Sequence, residues 1–326
     1  MDFHVIKLHF VSPLHISKGA EDYSESDDLV HSDTFKSALF VSYYQLFQDM
    51  DSGFFDKFML SSAFPFFGET LFLPKPFIRL TLNIKEENPS NIKKLKKLQW
   101  LDKTLFEKCI HNEKADISAD NFSKNGKFIS FNFNKEYSPK IYTKEEQARV
   151  KVNYQTDNEP FALERIYFEK NAGLYVLVQC TEEFLHQKLL PAFSLLGENG
   201  LGSYKTTGNG QFEPVLEKPT ALRVPQSSDY LLNLSLYCPS RQEAENHLQL
   251  NKSSYQLLKR GGYIANPEDT SKMSWRKKSV YMFQEGSVFK GNHLKGKLAD
   301  LKPDGLPHPI YREGRPVFIP VVKPND

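Results

Sequence analysis

The chain opens on a period of two. Phe3-His-Val-Ile-Lys-Leu-His-Phe10 predicts an amphipathic strand, stopped by Pro13 and Gly19. An acidic, polar loop over 19–28 follows, and the apolar spacing then becomes helical. Ser32 or Asp33 is expected to cap a helix from Thr34 to about Gln48, with Phe35, Ala38, Leu39, Tyr43, Leu46 and Phe47 along one stripe. Phe64–Phe67 and Thr70–Leu73, broken by Gly68-Glu69 and closed by Pro74-Lys-Pro76, read as a strand or short hairpin. From Lys85 the pattern changes. Ser90-Asn91 opens a charged helix whose narrow apolar side is Ile92, Leu95, Leu98, Leu101 and Leu105, and residues 112–148 are polar and Asn/Lys-rich. About 85–150 is therefore read as an insertion.

Regular patterning returns at Phe161. Ile166–Phe168, the turn Glu169–Gly173 and Leu174–Gln179 predict a hairpin ending in a buried strand. Thr181 caps the next helix, which carries Phe184, Leu185, Leu189, Phe193 and Leu196 and is expected to bend at Pro191. Phe212–Leu216 reads as the closing strand. The order is strand, helix, strand, insertion, strand, helix, strand, a ferredoxin-like (RRM-like) βαββαβ unit over residues 1–217. Lys218-Pro219 starts a second unit, 218–326. Its predicted elements are a strand over Tyr230–Tyr237, a short helix over Arg241–Leu250, and strands at Tyr263-Ile264, Ser279–Phe283 and Val317–Val322. The fold class is α+β.

One stretch fits neither period: Leu195-Leu-Gly-Glu-Asn-Gly-Leu-Gly-Ser-Tyr-Lys-Thr-Thr-Gly-Asn-Gly-Gln-Phe212. Glycines at 197, 200, 202, 208 and 210 let a loop take positive φ and let a ligand approach the backbone. Its centre, Ser203-Tyr-Lys-Thr-Thr207, offers hydroxyls, a phenol and an ammonium to phosphate oxygens and unpaired bases. The loop lacks the Gly-Lys-[Ser/Thr] ending of a nucleotide P-loop, and it runs helix to strand, unlike the dinucleotide fingerprint. A flexible surface turn is the plain alternative.

A formal charge of +2 over 326 residues rules out a global basic field, so any nucleic-acid site must be a local patch. Most of the 26 Phe and 15 Tyr belong to the core, but the tyrosines leave material for stacking. Cys109, Cys180 and Cys238 are scattered and odd in number, which supplies no zinc knuckle or disulfide framework and suits a reducing cytoplasm. No apolar run reaches membrane-spanning length, and the N-terminus has no signal-peptide pattern, so a soluble cytoplasmic protein is expected.

The pattern Gly200-Leu-Gly-x-x-x-x-x-Gly-x-Gly-x-Phe212 resembles the glycine-rich signature of the RAMP superfamily of CRISPR proteins. Phe10-Val-Ser-Pro-Leu-His-Ile-Ser-Lys-Gly19, His31-Ser-Asp-Thr-Phe-Lys-Ser-Ala-Leu39 and Phe64–Pro76 look like the fourth subunit of type III-A (Csm) effector complexes. The resemblance implies a second, degenerate ferredoxin-like domain. It implies a non-catalytic antiviral subunit, without cofactor or metal, that grips the crRNA 5′ handle. Its neighbours would be the large Cas10-type (Csm1) subunit and the backbone RAMP (Csm3) subunit, with target RNA engaged only indirectly and no membrane.

The RNA-binding candidates follow from these stretches. They are His15, Ser17 and Lys18 after the first strand, and Ser32 at a helix start whose N–H groups suit a phosphate. On a strand, Arg149, Lys151 and Asn153 would share one face, suited to a sugar–phosphate track. The loop supplies Gly200, Gly202, Ser203, Tyr204, Lys205, Thr206, Thr207, Gly208 and Gly210. Ser274-Trp-Arg-Lys-Lys278 is a second basic–aromatic cluster, whereas Lys93, Lys94, Lys96 and Lys97 read as a solvated helix face. A nuclease would need a general base, for which His15 is first choice and His31 second. A crRNA-processing endoribonuclease acting through His15 is the alternative, and a purely structural bridging subunit is a third reading. Asp27, Asp28 and Asp33 could hold Mg²⁺ only if the loop folded back, so a cap at Asp33 and a solvated pair at 27–28 are preferred.

Overall fold

A computed structural model describes residues 1–18, 24–49, 52–84, 89–151, 157–264 and 275–323. The chain is α+β, and one strand organises its first half. β1 (Asp2–Phe10) leads to α1 (Ser32–Phe47) and then to a hairpin of β2 (Phe64–Phe67) and β3 (Thr70–Pro74) turning at Gly68-Glu69. α2 (Pro89–Lys97), β4 (Trp100–Asp102), α3 (Lys103–Ile110), β5 (Phe128–Ile129), β6 (Tyr142–Lys151) and β7 (Glu159–Phe168) follow. β8 (Ala172–Gln179), α4 (Leu190–Asn199) and β9 (Phe212–Leu216) complete the half.

β1 pairs antiparallel with β8 on one side and β9 on the other, so the sheet order is β9-β1-β8-β2-β3-β4-β5. Phe3 and Val5 on one face of β1 and Ile6 and Leu8 on the other are all buried, so both faces of the sheet are covered here. The helix following β1 packs against the helix following β8 through Phe35 and Phe193, whose ring centroids lie 5.5 Å apart.

Within 85–150, read as an insertion, β4 and β5 extend the main sheet. Three expectations change here. The helix expected across Ile92–Leu105 is broken: Leu98 and Leu101 are buried at and before β4, and Asp102 caps α3 by accepting from the Leu105 N–H at 2.7 Å. β7 pairs with β6 and not with β8, from Tyr142 opposite Phe168 to Lys151 opposite Glu159. At α1 the N-cap is His31, without a side-chain cap bond, while Ser32 and Asp33 lie within the first turn and are buried. Thr181 caps as expected, accepting from the Phe184 N–H, and the disturbance around Pro191 takes the form of a π-helical turn, Leu185–Leu189. A proline cannot donate to the carbonyl four residues back, which favours such a local re-spacing.

The second half has β10 (Tyr230–Asn233), α5 (Arg241–Asn246), β11 (Leu248–Ser254), β12 (Leu257–Arg260) and β13 (Val280–Phe283). β14 (Val288–Gly291), β15 (Lys297–Asp300), β16 (Tyr311–Gly314) and β17 (Phe318–Pro320) end it. Its main sheet is β11-β14-β10-β17, and β12–β13 and β15–β16 form separate ribbons. Among the described residues Tyr263 forms an isolated bridge with Arg276, where a strand was expected. Leu232, Leu234, Val288 and Ile319 join the same contiguous core as the first sheet, so both halves bury one another.

The N-terminal turns of α1 are the charged centre of that junction. Glu285 of the second half receives the His31 Nδ1–H at 2.9 Å and the Ser62 hydroxyl, while His31 Nε2 faces Asp27 at 3.4 Å. Lys36 donates to Glu313 at 2.9 Å and to the carbonyls of Phe55 and Phe58. Asp28, expected to be solvated, accepts from Tyr142 and is bound by Lys127 and Lys144. Burial opposes the charged form of His31, but the Glu285 charge and the hydrogen bonds to Asp27 and Glu285 outweigh it, raising its pKa to about 9. The folded value lies above the unfolded value, so this stabilisation is complete below pH ~6.5 and fades as pH rises through about 9. The gap in unfolding free energy between wild type and His31→Gln should therefore shrink by roughly 1–3 kcal/mol from pH 6 to 10. Denaturant titrations at the two pH values measure it, and a gap independent of pH would refute the charged-His31 assignment.

Candidate nucleic-acid interface

The glycine loop begins where α4 ends and folds back on itself. Gly200 and Gly202 have φ of 81° and 90°, and a 3₁₀ turn at Lys205–Thr207 is framed by left-handed Tyr204 and Gly208. A β-carbon on Gly210 (φ 76°) would lie 1.9 Å from the Leu201 carbonyl oxygen, whereas one on Gly208 (φ 78°) would meet open space. The glycines thus hold positive φ, but at Gly210 the close approach is to the loop's own backbone. The Gly210 N–H donates to Pro13 O at 2.8 Å and the Ser203 N–H to His15 O at 3.0 Å, docking the loop on the segment after β1.

His15 is the pin of this docking. Its ring is fully buried, with Nδ1 2.6 Å from the Glu164 carbonyl oxygen, so Nδ1 carries the proton and donates. Burial lowers its pKa against the opposing pull of the Glu164 hydrogen bond, which keeps the imidazole neutral. Nε2 then accepts from the Ser17 hydroxyl at 3.2 Å, and the Ser17 and Ser203 hydroxyls are 3.1 Å apart. This short polar chain ties together two stretches separated by 186 positions. Both histidines considered as general bases, His15 and His31, are enclosed.

Between the loop and the second half lies a cleft of about 700 Å³. Ser17, Lys18, Gly200, Gly202, Ser203 and Lys205 line one side. The other side is Lys259 and Arg260 at the end of β12, Tyr263, Arg276, Lys277 and Arg312. Among the described residues no carboxylate lines this cleft. Asp33 lies buried behind it, where Arg260 grips it with two bonds of 2.9 Å and Arg312 with one of 3.0 Å. One carboxylate therefore serves two guanidinium groups. Among the described residues Lys205, Lys259 and Lys277 have no carboxylate partner. Burial, then the neighbouring Arg312 charge, pushes the Lys277 amine down to about 8. Other cations are matched: Lys18 of the same cleft with Glu25 at 2.8 Å, Lys7 with Glu217 at 3.0 Å, Lys36 with Glu313, Lys144 with Asp28 and Glu164. The near-neutral total charge thus conceals a local surplus.

Aromatic groups flank the surplus. The Arg276 guanidinium lies 5.1 Å from the centre of the Tyr263 ring, and Tyr204 stacks on Phe161 of β7 with centroids 6.2 Å apart. Phe161 is directly opposite Arg149 in the β6–β7 ribbon, so Arg149 emerges on the face next to the glycine loop. Thr206, Thr207 and Gly208 form the exposed loop tip. Lys151 ends β6, and Asn153 lies outside the described residues. Ser32 is a correction. It is buried at the junction, its hydroxyl accepting the Leu236 N–H at 3.0 Å, because the second half covers the start of α1. Sequence reasoning passed over Lys259, Arg260 and Arg312. The run Lys259-Arg260-Gly261-Gly262, a basic pair before two glycines, was a readable signal; Arg312 carried none.

The sequence model of the RAMP superfamily matches residues 7–213, which contain the glycine loop and the docking segment. The chain belongs to the RAMP superfamily. It is a Csm4-like RAMP: the model described as the CRISPR Csm4 C-terminal domain matches residues 226–321. A "CRISPR system Cms protein Csm4" of Mycobacterium tuberculosis (strain CDC 1551 / Oshkosh) is 32% identical over 168 residues, 51% of this chain and 53% of that protein. The match thus spans about half the length of that relative. The protein of the same description from Thermococcus onnurineus (strain NA1) is 27% identical over 263 residues, covering 78% of this chain and 77% of its own. Among solved structures, this RAMP chain is similar in fold to a chain of a Csm3–Csm4 subcomplex of the type III-A CRISPR-Cas interference complex. That similarity has a TM-score of 0.65 at 20% identity, over 99% of this chain and 100% of that one. A chain of a Csm1–Csm4 cassette in complex with cA4 gives 0.64 at 20% identity, over the whole of both.

Proposed function

We propose that this chain is the non-catalytic, crRNA-binding subunit of a type III-A CRISPR complex, holding the 5′ handle in the cleft between glycine loop and second half. One observation carries the reading: Lys205 of the first half and Lys259 and Lys277 of the second, without a carboxylate partner among the described residues, face a cleft that the Ser17 and Ser203 hydroxyls also line. The relatives crystallised with Csm1 and with Csm3 support a bridging place between the large Cas10-type subunit and the backbone RAMP subunit. An endoribonuclease acting through His15 finds no support in a neutral, enclosed imidazole already committed to Glu164 and Ser17. The two sheets also support reading 1–217 and 218–326 as two ferredoxin-like units. In each, the four main strands lie in the spatial order fourth, first, third, second, and the second unit replaces one helix by the β15–β16 ribbon.

The test is equilibrium binding of a handle-length single-stranded RNA by the purified chain at several salt concentrations. Lys205→Ala and Lys259→Ala should each weaken binding several-fold and lower the salt slope by about 0.7 per lost phosphate contact. Wild-type affinity and slope in the double variant would place the RNA elsewhere.

A further inference from the structure

A second cleft, of about 630 Å³, opens on the far side of Lys18, which lines both. It lies between the Pro74–Ile78 segment, the end of α2 and the β12–β13 ribbon, where the Phe77 N–H donates to Gly286 O at 2.8 Å and joins the halves. Its volume is in the range that encloses a small ligand. Three features give its chemistry. The floor is apolar and aromatic, with Pro74, half-buried Phe77 and buried Trp100. The Trp100 indole Nε1 is buried without a hydrogen-bond partner among the described residues. The side-chain amides of Gln99, Gln256 and Gln284 line the same space and hold no hydrogen bond among the described residues.

The charges decide between occupants. Every lining carboxylate is committed: Asp27 and Glu285 to His31, Asp28 to Lys127 and Lys144. Lys75 and Lys96 have no carboxylate partner among the described residues; Lys75 donates only to the Leu95 carbonyl. Burial lowers the Lys75 amine pKa, and an anion beside it would oppose that shift. An apolar floor, a set of unused amides and two unmatched ammonium groups fit a nucleotide, with the base inside and the phosphate at the rim. We propose that this second cleft takes one splayed nucleotide of the RNA chain held at the glycine loop, with Lys18 as the stepping point between the two sites. The inference rests on the RNA-binding reading given above.

The experiment uses the full chain and single-stranded RNA carrying 4-thiouridine at successive positions, with photocrosslinked peptides identified by mass spectrometry. One RNA position should crosslink to Phe77 or Trp100, and others to peptides containing Tyr204 or Arg276. Phe77→Ala should weaken RNA binding roughly fivefold or more. Lys96→Glu, an exposed change that leaves the fold intact, should weaken it several-fold and abolish the Phe77 or Trp100 crosslink. Crosslinks confined to the glycine-loop cleft, with Lys96→Glu binding as wild type, would overturn this proposal and leave the function standing. Absence of crosslinks at both clefts would overturn both. If Lys75 and Lys96 are shielded from an amine-reactive label by a partner protein and not by RNA, the occupant is protein and the proposal falls.

Discussion

Gly210→Val is expected to lower stability by at least about 3 kcal/mol and to abolish RNA binding with it, while Gly208→Ala costs about 1 kcal/mol and leaves binding nearly intact. The two glycines have almost the same φ, 76° and 78°, so backbone strain alone predicts nearly equal losses. They differ in what surrounds them. At Gly210 the new carbon falls 1.9 Å from Leu201 O, and the Leu201 N–H donates to Gly210 O at 2.8 Å, so relief of the clash pulls the bond apart. The same displacement loosens the Gly210 N–H bond to Pro13 O and with it the docking that His15 secures. Gly208 has no atom within reach of the added carbon. Chemical denaturation of both variants, with RNA affinity measured on the folded fraction, separates the two effects. Equal stability losses would mean that the loop is not packed as described.

That contrast also marks what the sequence withheld. Glycine spacing and composition located the loop, and its positive φ followed from residue type. The expected approach of a ligand to the backbone is replaced at Gly210 by the loop's own Leu201, and the Ser203 N–H is taken by His15, far away in the chain. Periodicity and turn residues placed β1, α1, the β2–β3 hairpin, β8 and β9. Around Leu98–Leu105 the apolar spacing suited a helix equally well, and only pairing with β3 decided for a strand at Trp100–Asp102. β7 is a different case, since it took its neighbour in sequence, β6, in place of β8. The β3–β4 pairing is non-local. The cleft was half legible for the same reason. Ser17, Lys18 and Ser203–Lys205 announce themselves, whereas Lys259, Arg260 and Arg312 become a site only when the second half closes over α1.

Asp33→Ala should be the most damaging single change outside the apolar core, at about 3–5 kcal/mol. Asp33 is fully buried in the first turn of α1, where the helix N-terminus already favours a carboxylate, and it takes three bonds from Arg260 and Arg312. Burial raises its pKa, but the two guanidinium charges prevail and hold the carboxyl well below the ordinary range. The folded value is thus depressed, so this contribution is present above pH ~4 and is lost only as pH falls through far more acidic values. Removing the carboxylate leaves two mostly buried guanidinium groups facing each other without an anion, a cost that Coulomb repulsion and desolvation share. Asp33→Asn keeps the shape and should lose nearly as much, which would assign the effect to charge and not to a cavity. The cleft adds a discriminating readout, because a phosphate entering it can take the place of the missing counter-ion. RNA should therefore raise the unfolding temperature of Asp33→Asn by more than that of wild type, and high salt should erase the difference. A wild-type unfolding temperature in Asp33→Ala would show that the arginines need no buried anion. Equal RNA-induced shifts in both proteins would show that their surplus charge does not face the RNA.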